Sequence, residues 1–201
     1  MANEEIEWKF IPPRSPNFGG LWEAAVKAFK YHFKRVVGGS NLTYEEMLTV
    51  ITQIEAVLNS RPLCPLTSNE EDFGVLTPAH FMINRSLNSI IEPDLTNIKE
   101  NRLKKWQKIS KLVQLFWQKW RLNYLSEVQQ RGKWRFEKND IKIGDMVLLI
   151  EENLPTNKWP LGKIIEVYQG TDGKIRVVKV KTQNGTFKRA ISKICVLPSP
   201  E

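Results

Sequence analysis

In the first half of the chain, apolar residues recur at intervals of three and four, which is the spacing of amphipathic helices. This pattern predicts a first helix over residues 20–37. A second helix begins at a capping box formed by Thr43 and Glu46 and cannot extend past Pro62. Pro78, which follows a threonine that can cap, begins a third and shorter helix. These residues are therefore predicted to be mainly helical.

The longest periodic stretch predicts a single helix over residues 99–130, after a loop at residues 86–98. At a rise of about 1.5 Å per residue this helix would be roughly 45 Å long. That is too long for one small domain, so we interpret it as a connector with one packed face. Its tryptophans Trp106, Trp117 and Trp120 are expected to be core or inter-helix anchors. The predicted apolar stripe consists of Leu103, Trp106, Ile109, Val113, Phe116, Trp120 and Tyr124.

Beyond residue 138 the apolar period shortens to two, which is typical of strands. The dipeptides Asp172-Gly173 and Asn184-Gly185 are signals for tight hairpin turns. Short strands joined by tight turns predict a small barrel or a partly closed sheet. The predicted strands cover residues 146–150, 159–169, 174–182 and 185–191, with residues 194–198 able to add a fifth at the edge and residues 6–13 forming a separate short strand.

Charge is distributed unevenly along the chain, whose net charge is +8. Residues 1–100 contain 9 Lys and Arg against 13 Asp and Glu, a balance of −4. Residues 101–201 contain 21 against 9, a balance of +12. This asymmetry favours a polyanion, most commonly nucleic acid, as the partner of the second half. A basic surface that serves only solubility is the alternative.

Several classes of protein are excluded by features that the sequence lacks. No apolar run reaches the roughly 18 residues of a transmembrane helix, and the acidic N-terminal residues are unlike a secretory signal. Cys64 and Cys195 lie far apart, without the spacing of a disulfide framework or a zinc site, and His32 and His80 do not complete one. We therefore expect a reducing compartment and no membrane association.

Several segments resemble one protein family when they are taken in order. SPNFGGLWE at residues 15–23, LNSRPL at 58–63 and LTPAHFM at 76–82 resemble the later part of a retroelement integrase core, most like those of Bel-Pao-type retrotransposons. The basic β segment is similar to the C-terminal domain of those integrases. The residues of this segment that match the family's pattern are Asp145, Trp159, Leu161, Gly162, Arg176, Gly185 and Arg189.

The resemblance implies a catalytic ancestry for Glu23. The family's core is ribonuclease-H-like and uses two aspartates and one glutamate to hold two divalent metal ions, and Glu23 matches the glutamate. The family's aspartates lie upstream, whereas this sequence has no aspartate before Asp72. We therefore expect a chain that begins near the end of the core fold and lacks the family's polynucleotidyl transfer activity by itself.

The family implies Mg²⁺, which Glu23 would help to hold only if the upstream acids were present. One carboxylate binds this ion weakly, because Mg²⁺ gives up its water reluctantly and needs further anionic ligands. An acid in the first turn of a helix also interacts favourably with the helix dipole. This local role is the one we expect of Glu23 in this chain.

Seven basic residues of the β segment are candidates for contacts with DNA phosphates. Lys179 and Lys181 are two apart on a predicted strand and share one face, while Val178 and Val180 point to the other. Such a surface would contact phosphates without reading base sequence. An ordinary solvated strand face is the alternative. The candidates are Lys163, Arg176, Lys179, Lys181, Lys188, Arg189 and Lys193.

A methyl-lysine reader is a sharper rival to DNA binding. Small barrels can build aromatic cages, in which ring faces attract a cationic group. Trp159, Tyr168 and Phe187 are the candidates for such a cage in this sequence. The spacing of these three residues does not specifically indicate an aromatic cage.

These patterns predict an α+β protein in three parts. Residues 1–98 are a helical remnant of a ribonuclease-H-like integrase core, residues 99–138 a long connector helix and linker, and residues 139–201 a basic, Src-homology-3-like β-barrel. The predicted function is largely non-sequence-specific DNA binding associated with retrotransposon integration, in the nucleus. A fragment of an active integrase polyprotein and a domesticated chromatin or protein-interaction module are the alternatives. Self-association is also expected, since the core helices would lack the strands that they normally cover.

Overall fold

The computed structural model describes residues 10, 12–15, 20–67, 69, 71–87, 90–135, 141–171 and 173–198. The strand predicted at residues 6–13 lies largely outside these residues. The chain forms two compact units, residues 1–40 and 41–201. The division at residues 98 and 138 that the sequence suggested stays a prediction. Within the described part of the chain, no helix combines the length and the apolar content needed to cross a membrane.

Helix α1 spans Gly20–Val37, as predicted, and belongs to the first unit. The ring centroids of Phe29 and Phe33 lie 5.0 Å apart on it. The helix ends where the Gly38 amide donates to the Lys34 carbonyl at 3.1 Å. A Cβ at residue 38 would come within 2.3 Å of that carbonyl oxygen, so a larger residue cannot end the helix in this way.

Helix α2 (Tyr44–Asn59) begins with the predicted capping box. Thr43 Oγ1 accepts a hydrogen bond from the Glu46 amide at 3.3 Å, and Glu46 Oε2 accepts one from the Thr43 amide at 2.9 Å. These two bonds satisfy amide groups that a helix terminus would otherwise leave unpaired. The side chains that α2 buries are Val50, Ile54 and Val57.

Two short strands follow, β1 (Cys64–Pro65) and β2 (Val75–Leu76), which pair antiparallel. We call them, with the described residues between them, the β1–β2 hairpin. The sequence did not predict it, because two residues are too few to show an alternating pattern. Helix α3 (Pro78–Ile83) comes next, with Thr77 at its N-cap as predicted. The described residues of the 86–98 segment contain neither helix nor strand, which confirms the predicted loop.

Helix α4 (Lys105–Arg135) is the predicted long helix, but it begins and ends later than residues 99–130. Glu100–Arg102 instead form a separate turn of 3₁₀ helix. Its predicted stripe is partly wrong, since Trp106 is 56% exposed. Burial extends around the helix because α2 packs against it and so does the last strand of the sheet. Buried residues outside the predicted stripe are Ser110, Leu112, Gln114, Trp117, Arg121 and Leu125.

A five-stranded antiparallel sheet follows α4, which confirms the α+β class and the order of long helix and β segment. Its spatial order is β6-β5-β4-β3-β7, so the fifth predicted strand does lie at an edge. Both predicted hairpin turns are present, with φ values of 71° at Gly173 and 128° at Gly185 that favour glycine. The strands are β3 (Met146–Leu149), β4 (Leu161–Gln169), β5 (Ile175–Thr182), β6 (Gly185–Ala190) and β7 (Ile194–Val196).

Strand β3 is buried on both faces of the sheet, which separates two hydrophobic cores. The inner core contains Val147, Leu149, Ile164, Ile175, Val178, Val180 and Ile194. The outer core contains Leu125 of α4 with Met146, Leu148, Cys195 and Leu197, and Phe73 and Val75 of the β1–β2 hairpin pack against it. We call the corresponding faces of the sheet the inner face and the outer face. Helix α4 and the hairpin therefore cover the β3 and β7 side of the outer face, and the hairpin also reaches Lys163 of β4.

Candidate nucleic-acid interface

The strand register decides which basic residues share a face. Lys179 of β5 is paired with Glu166 of β4 on one side and with Lys188 of β6 on the other. Directly opposed residues of antiparallel strands point to the same face. Lys181 lies two residues further along β5 and points the same way. We call Lys179, Lys181 and Lys188 the lysine face.

The lysine face continues the outer face of the sheet. Lys181 is paired with Lys163, and Lys163 is paired with Met146 of the outer core. Lys181 and Lys188 are exposed and Lys179 is half-buried. One surface therefore has a covered apolar part over β3 and β7 and an accessible cationic part over β5 and β6.

The carboxylate of Glu166 contacts both Lys179 and Tyr168 within the sheet. Glu166 Oε1 accepts a hydrogen bond from Lys179 Nζ at 2.8 Å, and Glu166 Oε2 accepts one from the Tyr168 hydroxyl. The hydrogen bond from Lys179 lowers the pKa of Glu166, with smaller contributions from Tyr168 and the charge of Lys188. Lys188 Nζ lies 4.6 Å from the centre of the Tyr168 ring. Two of the three lysines are thus held by contacts within the sheet.

Lys163 does not join the lysine face as an accessible charge, although it points the same way. It is 5% exposed, and its Nζ donates to the backbone carbonyl of Asn69 in the β1–β2 hairpin. Lys181 Nζ also approaches this hairpin, at 4.0 Å from Glu71 Oε1. The predicted phosphate contact of Lys163 would require this cover to be absent.

The remaining candidates lie elsewhere. Arg189 is paired with Val178 of the inner core, so it points away from the lysine face. Its Nη2 donates to Glu151 Oε1 at 3.2 Å. Arg176 is exposed at an irregularity of the β4–β5 pairing, and Lys193 is exposed in a 3₁₀ turn before β7. The lysine face therefore unites three of the seven predicted residues.

The partner role of Glu166 was missed because two bulges hide the register. Regular continuation of the Gln169–Ile175 pair beside the hairpin turn would place Val178 opposite Glu166. The pairing shifts by one residue near that turn and shifts back between Ile164 and Glu166. The observed partner is therefore Lys179.

Arg121 of α4 is a second charged group that the sequence did not single out. It is 4% exposed, and its Nη2 donates to the Glu151 backbone carbonyl at 2.6 Å. Desolvation by burial lowers the pKa of its guanidinium. Arg121 and Arg189 thus contact the backbone and the carboxylate of the same residue. The only feature of the sequence that could have indicated the burial of Arg121 is its position one helical turn after Trp117. The Trp117 ring centre lies 5.8 Å from the Arg121 guanidinium.

The three aromatic candidates for a methyl-lysine cage have different surroundings. The Trp159 ring packs edge-on against Trp117 and Tyr124, with centroids 4.8 and 5.5 Å away, and its Nε1 donates to Ser60 Oγ at 3.1 Å. Tyr168 lies under Lys188 on the outer face. The Phe187 ring lies 5.2 Å from the Arg189 guanidinium. Trp159 therefore joins α4 to the sheet as an anchor.

Glu23 lies exposed in the first turn of α1. No group of three or more His, Cys, Asp or Glu side chains that could hold a metal ion occurs among the described residues. Cys195 offers no nucleophile either, because burial in the outer core raises its thiol pKa to about 12.

A cavity of about 460 Å³ lies between α2, α4 and the loop before β4. Its lining includes the carboxylates of Glu92 and Asp94 and the amides of Gln53, Gln114 and Gln118. None of the residues that line it is basic. The cavity is therefore unsuited to a polyanion and lies outside the candidate interface.

Comparison with known proteins gives one match. Residues 104–197 are similar to a family described as Family of unknown function (DUF5641). The matched segment covers α4 and all five strands of the sheet, and so contains the lysine face. Neither the curated proteins nor the solved structures include a match to this chain.

Proposed function

We propose that this protein binds DNA through the lysine face, without its own catalysis, as a nuclear protein derived from a retrotransposon integrase. The observation that carries the proposal is the lysine face itself. Three lysines lie side by side on paired strands, with Glu166 among them and Glu71 at their border, a local balance of three positive charges against two negative. Contacts between cations and phosphates supply most of the sequence-independent affinity for DNA.

The order of the helices and strands along the chain supports this proposal. A long helix followed by a five-stranded antiparallel sheet is the arrangement expected if α4 is the connector and the sheet is a Src-homology-3-like barrel. In the same proposal, helices α1 to α3 derive from a ribonuclease-H-like core, on the strength of the sequence motifs that resemble it.

The expected binding has little sequence preference. Lysine presents a flexible point charge, whereas bidentate contacts to base edges are made by planar groups such as those of arginine, asparagine and glutamine. A flat array of lysines on a sheet therefore suits the phosphate backbone and not the bases. Duplexes of different sequence should bind with similar affinity.

The test is fluorescence anisotropy of the full chain with a labelled duplex between 50 and 200 mM salt. Each phosphate contact contributes about 0.9 to the slope of log affinity against log salt. A variant with Lys179→Gln, Lys181→Gln and Lys188→Gln should therefore bind weakly, with a slope reduced by up to about 2.7. Its circular dichroism should be unchanged, because these side chains are at most half-buried.

The matched control is Lys27→Gln with Lys30→Gln and Lys34→Gln, three exposed lysines of α1. Both variants lower the net charge from +8 to +5. The control should keep the parental slope. Equal losses in both variants would show that only net charge matters, and no binding by the parent at 50 mM salt would refute the proposed function.

A further inference from the structure

The β1–β2 hairpin joins the two parts of the outer face. Phe73 and Val75 pack against the outer core, on the apolar part. A few residues earlier, the Asn69 carbonyl accepts a hydrogen bond from Lys163 and the Glu71 carboxylate approaches Lys181. One short segment therefore fills the apolar part and also contacts the border of the cationic part.

Internal hydrogen bonds hold the hairpin in this position. Asp72 Oδ1 accepts from the Gly74 amide at 2.7 Å, and Asp72 Oδ2 accepts from Thr67 Oγ1 at 3.1 Å. The Leu66 amide donates to the Gly74 carbonyl at 3.0 Å. The Asp72 carboxylate is therefore engaged within the hairpin. Glu71, its neighbour, is the carboxylate that extends to the lysine face.

The contact between Glu71 and Lys181 is open to competition. The nitrogen and oxygen atoms are 4.0 Å apart, and the side chains are 85% exposed for Glu71 and 45% exposed for Lys181. Exposed pairs of this kind are weak, because water and salt screen both charges. A phosphate approaching the lysine face would meet Lys181 with this carboxylate already beside it.

We propose that Glu71 competes with DNA phosphates for Lys181, so that the β1–β2 hairpin lowers the affinity of the lysine face for nucleic acid. This inference rests on the proposed function. Glu71 comes from a different part of the chain than the sheet that it contacts, unlike Glu166, which lies within the sheet. Its carboxylate lies 4.0 Å from the Lys181 ammonium, which a DNA phosphate would also have to approach.

The test uses Glu71→Gln in the full chain with the same labelled duplex. The variant should bind several-fold more tightly than the parent, and its salt slope should steepen by up to about 0.9, the value of one full phosphate contact. Its advantage should therefore be up to about 3.5-fold larger at 50 mM salt than at 200 mM salt. Glu55→Gln, an exposed acid of α2, changes the net charge equally and is the matched control.

A double-mutant cycle makes the test specific. In a Lys181→Gln background, Glu71→Gln should give no more gain than Glu55→Gln, because the contested lysine is gone. Two outcomes would overturn the proposed competition while leaving DNA binding in place. One is that, in the parent background, Glu71→Gln raises the DNA affinity no more than Glu55→Gln does. The other is that the increase in affinity from Glu71→Gln persists in the Lys181→Gln background. Absence of DNA binding in every variant would instead refute the proposed function, and the inference with it.

Discussion

Replacing Gly162 of β4 by alanine should destabilise the protein strongly. An added Cβ would lie 2.3 Å from Val180 Cγ1, 2.9 Å from the Lys181 carbonyl oxygen and 3.2 Å from Thr182 Cγ2. The first contact requires a side chain to move, and the second requires β4 and β5 to separate. Overpacking of a close-packed core costs about 1–3 kcal/mol, and the backbone contact favours the upper half of that range. Urea unfolding followed by tryptophan fluorescence should therefore give a loss of about 2–3 kcal/mol.

The source of the clash can be tested with Val180→Ala. That change alone removes two methyl groups, worth about 0.8 kcal/mol each, and leaves a cavity that adds to the loss. Combined with Gly162→Ala, it should cost less than the sum of the two by about 1 kcal/mol, since the added methyl group enters the vacated space. Gly39→Ala is the control, because a Cβ there meets no atom within 4 Å. A loss below about 0.5 kcal/mol for Gly162→Ala would refute the close approach of β5.

Three further predictions concern a cap, a buried acid and catalysis. Thr43→Ala should lower the unfolding free energy by about 1 kcal/mol in urea, with Thr43→Ser nearly neutral, because the cap of α2 is lost only in the former. Burial raises the pKa of Asp145 above its ordinary 3.8. The contribution of Asp145 to the free energy of unfolding is therefore complete below its pKa in the unfolded state, and it is lost as pH rises through its pKa in the folded state. In thermal melts, the Tm of Asp145→Asn should therefore rise relative to that of the parent as pH rises from about 3.8. A relative Tm that falls instead would contradict the effect of burial. The chain should show no strand transfer or 3′-end processing with Mg²⁺ or Mn²⁺, and activity that Glu23→Gln abolishes would overturn this expectation.

Elements with strong local signals were predictable from the sequence. The capping box fixed the start of α2, and glycine turns located the hairpins around β5. The stripe of α4 was only partly predictable, because a helix packed on two sides departs from the single-stripe pattern. Trp106 fits the helical period but is 56% exposed, even though the neighbouring Lys105 pairs with Glu46 of α2, so the period alone does not determine which positions are buried.

The candidate interface was predictable to the extent that local geometry determines it. Strand alternation correctly placed Lys179 and Lys181 on one face. The Asn-Gly turn also fixes the register of β6, so the opposite orientation of Arg189 could have been predicted from the sequence. The burial of Lys163 was not, because it depends on Asn69, 94 residues earlier in the chain. No local pattern reports a contact of that kind.

The composition of the outer core has a consequence for how the chain folds. Its members and neighbours come from distant stretches, from Phe73 in the β1–β2 hairpin to Leu197 after β7. The β4–β5 and β5–β6 hairpins can form within microseconds, whereas contacts between such distant residues form slowly. Strand β7 pairs with β3 although β4, β5 and β6 lie between them in the chain, so we expect this pairing to form late in folding. Until it forms we expect Met146 and Leu148 to lack part of their cover, which would make this interval the one in which the chain is most prone to aggregate.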